Sequence, residues 1–384
     1  KTPFYLYSEN QIINNFLKFK KVFKKTNPLI CFAAKSNSNV SILKTLGKLG
    51  AGTDVVSGGE LLKALKAGIK PNKVVFSGVG KNEDELRIAI NKKILLINCE
   101  SESEAKLIDK IARKLRKKVS IGFRLNPNID AKTHQKISTG KAENKFGLSI
   151  KNFKSFYKSI KKYKNINLDA LSVHIGSQIL SDVPYKKMLN VMSNLIKELK
   201  LDLKFLDLGG GFGIRYNEKD KPINLKKYSD SVYKLAKKLK CKIIFEPGRS
   251  IIGDTGILLS KIQYIKKGAK KDFIIIDAGM NDFMRPALYD AVHKIIPIRK
   301  SKSKLKGTIE FVGPICESTC KFGSYKNYQK MSENDFVAIT NVGAYGSSLS
   351  SNYNSRPLIA ELLVNKNKIK YIRKKQDLLK LINS

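Results

Sequence analysis

What this 384-residue sequence lacks narrows its class before any motif is read. No apolar stretch approaches the about 20 residues of a membrane span, so no membrane partner is expected. The first residues also miss the charged-then-apolar pattern of an export signal. Cysteine is sparse: Cys31, Cys99, Cys241, Cys316 and Cys320 are odd in number and widely spread, which argues against a disulfide framework and for a reduced, cytoplasmic setting. Cys316 and Cys320 are close neighbours, but with no second pair and no flanking histidine they make a poor zinc site. No metal is expected.

Acidic residues are the other shortage: 32 Asp and Glu face 74 Lys and Arg, a formal net charge of +42. That imbalance ordinarily points to nucleic acid or an anionic surface. Here the excess is nearly all lysine and is scattered over most predicted helices. The arginine and aromatic interleaving of a nucleic-acid-binding stripe is missing. We read compositional drift, with weak polyanion binding as a side effect and no specific nucleic-acid partner. Against this lysine background, a retained arginine marks places where a planar bidentate fork is needed. Arg249, Arg285 and Arg356 lie in otherwise unusual stretches, whereas Arg87, Arg113, Arg116 and Arg373 sit in ordinary helical or tail contexts.

What is present is a steady alternation. After an amphipathic helix over 8–24, strand-like apolar runs fall at 29–34, 53–56, 73–77, 94–98, 119–125, 168–174, 204–208 and 242–246. Helical patterns lie between them, such as 40–49, 60–67, 83–91 and 103–116. Eight such units predict an α/β chain built as a parallel (β/α)8 TIM barrel; a doubly wound open sheet is the alternative, and the count of eight favours the barrel. From Ile251 onward the runs become short and β-like, at 256–265, 273–277, 308–313, 335–341, 358–364 and 368–372. We therefore expect a barrel over 8–248 and a mainly antiparallel β domain over 249–384, joined by the strand-like residues 1–7.

Barrel active sites lie at the carboxyl ends of the strands, so the residues there are read together. Strand one ends at Lys35, strand two near Asp54, strand five at Arg124, strand six at His174, strand seven at Gly209-Gly210-Gly211-Phe212-Gly213, and strand eight at Glu246-Pro247-Gly248-Arg249. A lysine at the end of a buried strand is partly desolvated, the condition for forming a Schiff base with an aldehyde. The glycine run, between a strand and a helix, offers backbone N–H groups to an anion such as phosphate. Glu246 is placed to face a ring nitrogen, His174 to stack on the ring, and Ser177 to donate to the phosphate. Each has a plainer alternative: a surface lysine, a tight turn, a rim ion pair with Arg249, a core histidine. Asp54 equally caps a turn. Taken together the parts describe pyridoxal 5′-phosphate.

The motifs Phe32-Ala33-Ala34-Lys35-Ser36-Asn37, His174-Ile175-Gly176-Ser177-Gln178, Gly209-Gly210-Gly211, Glu246-Pro247-Gly248-Arg249, Arg285-Pro286-Ala287-Leu288-Tyr289, Cys316-Glu317-Ser318, Ala344-Tyr345-Gly346 and Ser351–Pro357 resemble the ornithine, diaminopimelate and arginine decarboxylase family, which has the alanine racemase-like fold. Arg285 with Tyr289, Glu317 after the cysteine, and the 126–147 loop with Thr133-His134 and Ile137-Ser138-Thr139-Gly140 resemble the branch acting on diaminopimelate. Ornithine decarboxylases carry Asp after that cysteine. The resemblance implies decarboxylation of meso-diaminopimelate to L-lysine, with another basic amino acid as the alternative substrate. It implies that Lys35, His174, Ser177, Gly209, Gly210, Gly211, Glu246, Gly248, Arg249 and Tyr345 hold the cofactor. Arg249, Arg285, Tyr289, Glu317 and Tyr345 would bind substrate, and Cys316 would return the proton; an inert buried thiol is its alternative. It also implies a homodimer in which Cys316 and Glu317 serve the partner subunit's site.

Overall fold

The computed structural model describes residues 1–131, 139–140 and 143–383. The chain divides into two compact units, one formed by 13–214 and 221–251, the other by 1–12, 215–220 and 252–384.

The first unit is a closed barrel. Strands Leu29–Ala33, Gly52–Val55, Val74–Phe76, Leu96–Cys99, Val119–Asn126, Ile166–Val173, Phe205–Asp207 and Lys242–Phe245 pair in that order, all parallel, and the last pairs back onto the first. These are the eight runs read from the sequence, with ends shifted by one or two residues. Their residues are almost wholly buried because helices cover the outside and side chains fill the inside. Leu29, Cys31, Val75, Leu96, Ala170 and Ile244, from five strands, form one buried cluster.

The helices begin where polar side chains satisfy their first N–H groups. Ser57 Oγ accepts from Glu60 N and Ser101 Oγ from Glu104 N, while Asn82 and Glu85 form a reciprocal capping box ahead of Glu83–Asn91. Under the seventh and eighth strands an aromatic cluster fixes the loops: Phe23 packs on Phe245 at 4.4 Å between centroids, Phe19 on Phe212 at 5.3 Å, and Tyr185 stacks on Phe212 at 5.2 Å. Such pairs add roughly 0.5–1.5 kcal/mol each beyond their burial.

The second unit is a nine-stranded, largely antiparallel sheet. Its N-terminal strand, Phe4–Ser8, lies between Gly256–Lys266, antiparallel, and Ala360–Asn365, parallel. Tyr5 and Tyr7 anchor it from one buried face, with their hydroxyls donating to Asp282 O at 2.5 Å and to Glu361 Oε2 at 2.8 Å. Two strands of this unit escaped the sequence reading, Ile295–Pro297 and Lys321–Lys326. The first is too short for a period-2 pattern, and the second exposes Lys321, Ser324 and Lys326, which do not alternate. Residues 215–220 also belong to this unit, although they interrupt the barrel's sequence; Asn341 Nδ2 donates to Arg215 O at 3.2 Å. Among the described residues no helix is long and apolar enough to cross a membrane.

Candidate active site

At the barrel's carboxyl rim the first strand runs into a single tight turn, Ala34–Ser36, which Ser36 closes by donating to Ala33 O at 2.8 Å. That turn carries Lys35 out of the strand. Its Nζ reaches Asp54 Oδ2, at the end of the second strand, at 3.2 Å, with the lysine side chain 36% exposed and the aspartate fully buried. Asp54 thus holds the amine in place with one oxygen. The other, Oδ1, is buried without a hydrogen-bond partner among the described residues. An orphaned buried carboxylate oxygen is costly and marks a place where a bound group is expected.

Glu246 follows the eighth strand, which pairs directly with the first. Burial, together with the charges of Asp207 and Asp54, pushes its carboxyl well above the ordinary range, opposed by the Lys35 ammonium. It shares a hydrogen bond with Asp207, itself raised by burial. Ser77 Oγ donates to Glu246 Oε1 at 3.4 Å, and Asn98 Nδ2 donates both to Ser77 Oγ at 3.3 Å and to Asp207 Oδ2 at 2.8 Å. Ser172 Oγ adds a bond to Asp207 Oδ2 at 3.1 Å. Asp207, Asn98 and Ser77 went unnoticed in the sequence. Asp207 was nevertheless signalled there: it is a charged residue closing an otherwise apolar barrel strand.

The glycine run is required by close approaches. A Cβ on Gly210 would sit 2.1 Å from Glu246 O, and Gly211, with φ +89°, would place one 2.3 Å from Gly176 O. The N–H groups do not all converge outward as expected. Gly209 N donates to Asp207 Oδ1 at 3.0 Å and Gly210 N to His174 Nδ1 at 3.1 Å, so both are committed within the protein. Of the three, Gly211 N–H has no acceptor among the described residues. Since His174 Nδ1 accepts, Nε2 carries the ring proton. Burial, then the cations Lys35 and Arg124, pushes this imidazole well below its ordinary pKa, so it is neutral.

Arg249, expected as a possible partner of Glu246, turns instead to Ser177 and donates to its Oγ at 3.0 Å. Gly248 allows that turn, since a Cβ there would meet Ser36 Oγ at 2.9 Å. Arg124 pairs with Glu100 at 3.1 Å and lies over the Phe146 ring at 4.6 Å, while Glu100 Oε2 accepts from Gly147 N at 2.6 Å. In the 126–147 loop, Thr133, His134, Ile137 and Ser138 lie outside the described residues; Thr139 Oγ1 donates to His174 O at 2.9 Å.

The structure thus gathers Lys35, Asp54, Arg124, His174, Ser177, the glycines, Glu246 and Arg249 in one unit. The remaining residues named from sequence belong to the other. There Arg285 opens the short helix Arg285–Tyr289 and donates from Nη1 to Tyr216 Oη at 2.9 Å. Cys316 and Glu317 are exposed; Cys316 N donates to Asn354 Oδ1 at 3.3 Å, and Glu317 accepts from Thr319 Oγ1 at 3.2 Å and from Tyr353 Oη. Tyr345 sits on a left-handed backbone, φ +57°.

The donor set fits pyridoxal 5′-phosphate: an amine at a rim, a buried acid, a neutral imidazole, and a glycine loop beside Ser177 and Arg249. Comparison with known proteins agrees. Residues 9–253 match the family model described as pyridoxal-dependent decarboxylase, pyridoxal binding domain. The chain is 43% identical over 379 residues to diaminopimelate decarboxylase of Aquifex aeolicus (strain VF5), covering 98% of this chain and 90% of that protein. It is 45% identical over 381 residues to the enzyme of that name from Helicobacter pylori (strain J99), covering 98% and 94%. The crystal structure of diaminopimelate decarboxylase from Helicobacter pylori complexed with L-lysine superposes with a TM-score of 0.94 at 44% identity, over 100% of this chain and 96% of that one. The chain belongs to the pyridoxal-dependent decarboxylase family, on the branch of the diaminopimelate decarboxylases.

Proposed function

We infer that this chain is a carboxy-lyase that converts meso-2,6-diaminopimelate to L-lysine and carbon dioxide, the last step of lysine biosynthesis, with pyridoxal 5′-phosphate as cofactor. The observation that carries the reading is the Lys35–Asp54 contact at 3.2 Å, at a rim shared with Glu246 and His174. The identities of 43–45% to proteins named for that activity fix the substrate. A lysine/ornithine decarboxylase from Vibrio vulnificus is 18% identical, which speaks for the fold alone.

When bound, the cofactor supplies the electron sink for the pair left by the departing carboxylate. Lys35 is the residue that would hold its aldehyde carbon, with Asp54 orienting the amine. Glu246 would face the ring nitrogen and keep a proton on it. His174, neutral and fixed by Gly210, offers a ring face. Gly209, Gly210 and Gly211, with Ser177, Gly248, Arg249 and Tyr345, would hold the phosphate, Gly211 through its N–H. Arg249, Arg285 and Tyr289 would take the distal carboxylate in bidentate, charge-assisted bonds, Glu317 the distal ammonium, and Tyr345 the substrate beside them. Cys316 would deliver the proton that completes the product.

We further propose that the protein works in the cytoplasm, in keeping with five free cysteines, and as a homodimer in which the exposed Cys316 and Glu317 serve the partner's site. Mixing inactive Lys35→Ala with the slow Cys316→Ala protein under conditions of subunit exchange should restore activity if sites are shared; no recovery contradicts sharing. The activity itself is tested by incubating the protein with meso-diaminopimelate and cofactor, with ornithine and arginine as competitors. Carbon dioxide and L-lysine are expected from the first alone. Faster turnover of ornithine would reverse the assignment.

A further inference from the structure

His293, fully buried and absent from the residues the family resemblance implies, contacts Arg285. Its Nε2 lies 2.8 Å from Arg285 Nη1, and its Nδ1 lies 2.8 Å from Thr340 O. A guanidinium only donates and a carbonyl only accepts, so both protons are assigned by chemistry: Nδ1–H donates to Thr340 O, and the bare Nε2 accepts from Arg285. The ring is therefore neutral and a single tautomer.

The surroundings fix it further. Phe283 packs edge-on against the imidazole at 4.7 Å and Tyr216 at 5.1 Å, while Thr340 is itself held by its N–H donating to Lys294 O at 3.0 Å. Tyr216 also covers the guanidinium at 4.9 Å and accepts from the same Nη1. One end of Arg285 is thus committed to two acceptors, and its plane is set by a ring face. Arginine otherwise carries about 2 kcal/mol of rotamer entropy, which a bidentate contact with a carboxylate has to overcome.

We propose that His293, seconded by Tyr216, is a positioning residue that sets Arg285 for the substrate's distal carboxylate. This rests on the reading that Arg285 binds that carboxylate. The ring acts only while its Nε2 is bare: a proton there would set N–H against N–H. Among the described residues, the groups facing it include Arg285 from the short helix, Tyr216 from 215–220, and Tyr325, whose hydroxyl donates to His293 O at 3.3 Å.

The test uses the holoenzyme and two ligands differing by one carboxylate, L-lysine and 1,5-diaminopentane, as inhibitors. In His293→Leu the KM for meso-diaminopimelate and the Ki for L-lysine should rise about tenfold or more, as loss of a bond to a charged group does, while the Ki for the diamine and kcat change little. His293→Gln, whose amide oxygen accepts where Nε2 did, should recover most of the loss. Arg285→Gln separates the two claims. If it leaves the lysine-to-diamine preference intact, the reading of Arg285 fails and the inference with it; if it destroys the preference while His293→Leu preserves it, the inference alone is overturned.

Discussion

Gly210 donates its backbone N–H to His174 Nδ1 at 3.1 Å, so the glycine loop after strand seven decides the protonation of the imidazole after strand six. With burial, Lys35 and Arg124 all opposing a second proton, the native ring binds protons less well than in the unfolded chain. The stability this contributes is complete above the unfolded value of about 6.5 and is lost as pH falls below it, by up to about 1.4 kcal/mol per unit. Thermal melts of cofactor-free protein between about pH 7 and 5 should steepen accordingly, and His174→Gln should flatten them. An unchanged slope in that variant would contradict the neutral assignment.

Glu246 behaves in the opposite sense. Its native pKa is raised by burial and by Asp207 and Asp54, so the folded protein holds a proton that the unfolded chain releases above about pH 4.3. Stability therefore falls as pH rises from there toward the native value. Glu246→Gln removes that loss, and the cofactor-free variant should melt at a higher temperature than the natural protein near neutral pH while its turnover collapses. A lower melting temperature at every pH would show the carboxyl to be structural.

Gly210 tests the loop's geometry. An alanine Cβ would fall 2.1 Å from Glu246 O, a backbone atom with little room to yield. Gly210→Ala should cost about 1–3 kcal/mol in denaturant unfolding, as overpacking does, and weaken cofactor binding. Gly59→Ala, in a helix where the nearest atom to a new Cβ is Ser57 Oγ at 3.8 Å, should be neutral or mildly stabilising.

Cys316 is exposed, so Cys316→Ala should fold and melt like the natural protein. Its turnover should fall by about 10²- to 10⁴-fold, the size of a general acid's contribution. Full activity would remove the thiol from the proton-transfer step.

The barrel was legible because each strand is an apolar run ended by Gly, Asn, Asp or a lone charge, and eight such runs in order close a ring. Lys35, Asp54 and Glu246 were legible for the same reason, as charges ending buried strands. Asp207 carried the same signal and was read as part of the strand. Tyr216 and His293 carried none: Tyr216 meets Arg285 only because residues 215–220 belong to the β unit, and His293 lies beyond the end of the Arg285–Tyr289 helix, where no local pattern predicts the contact. The glycine run promised N–H groups converging on an anion, but the neighbouring Asp207 and His174 accept from Gly209 and Gly210.

The central claim is that one lysine among many holds the cofactor. The most direct measurement is to load the protein with pyridoxal 5′-phosphate, reduce it with borohydride, and map the phosphopyridoxyl group by peptide mass spectrometry. The account predicts the label on Lys35, and no stable label when Lys35→Ala is treated in the same way. A label on another lysine of the natural protein, with Lys35 unmodified, would contradict it.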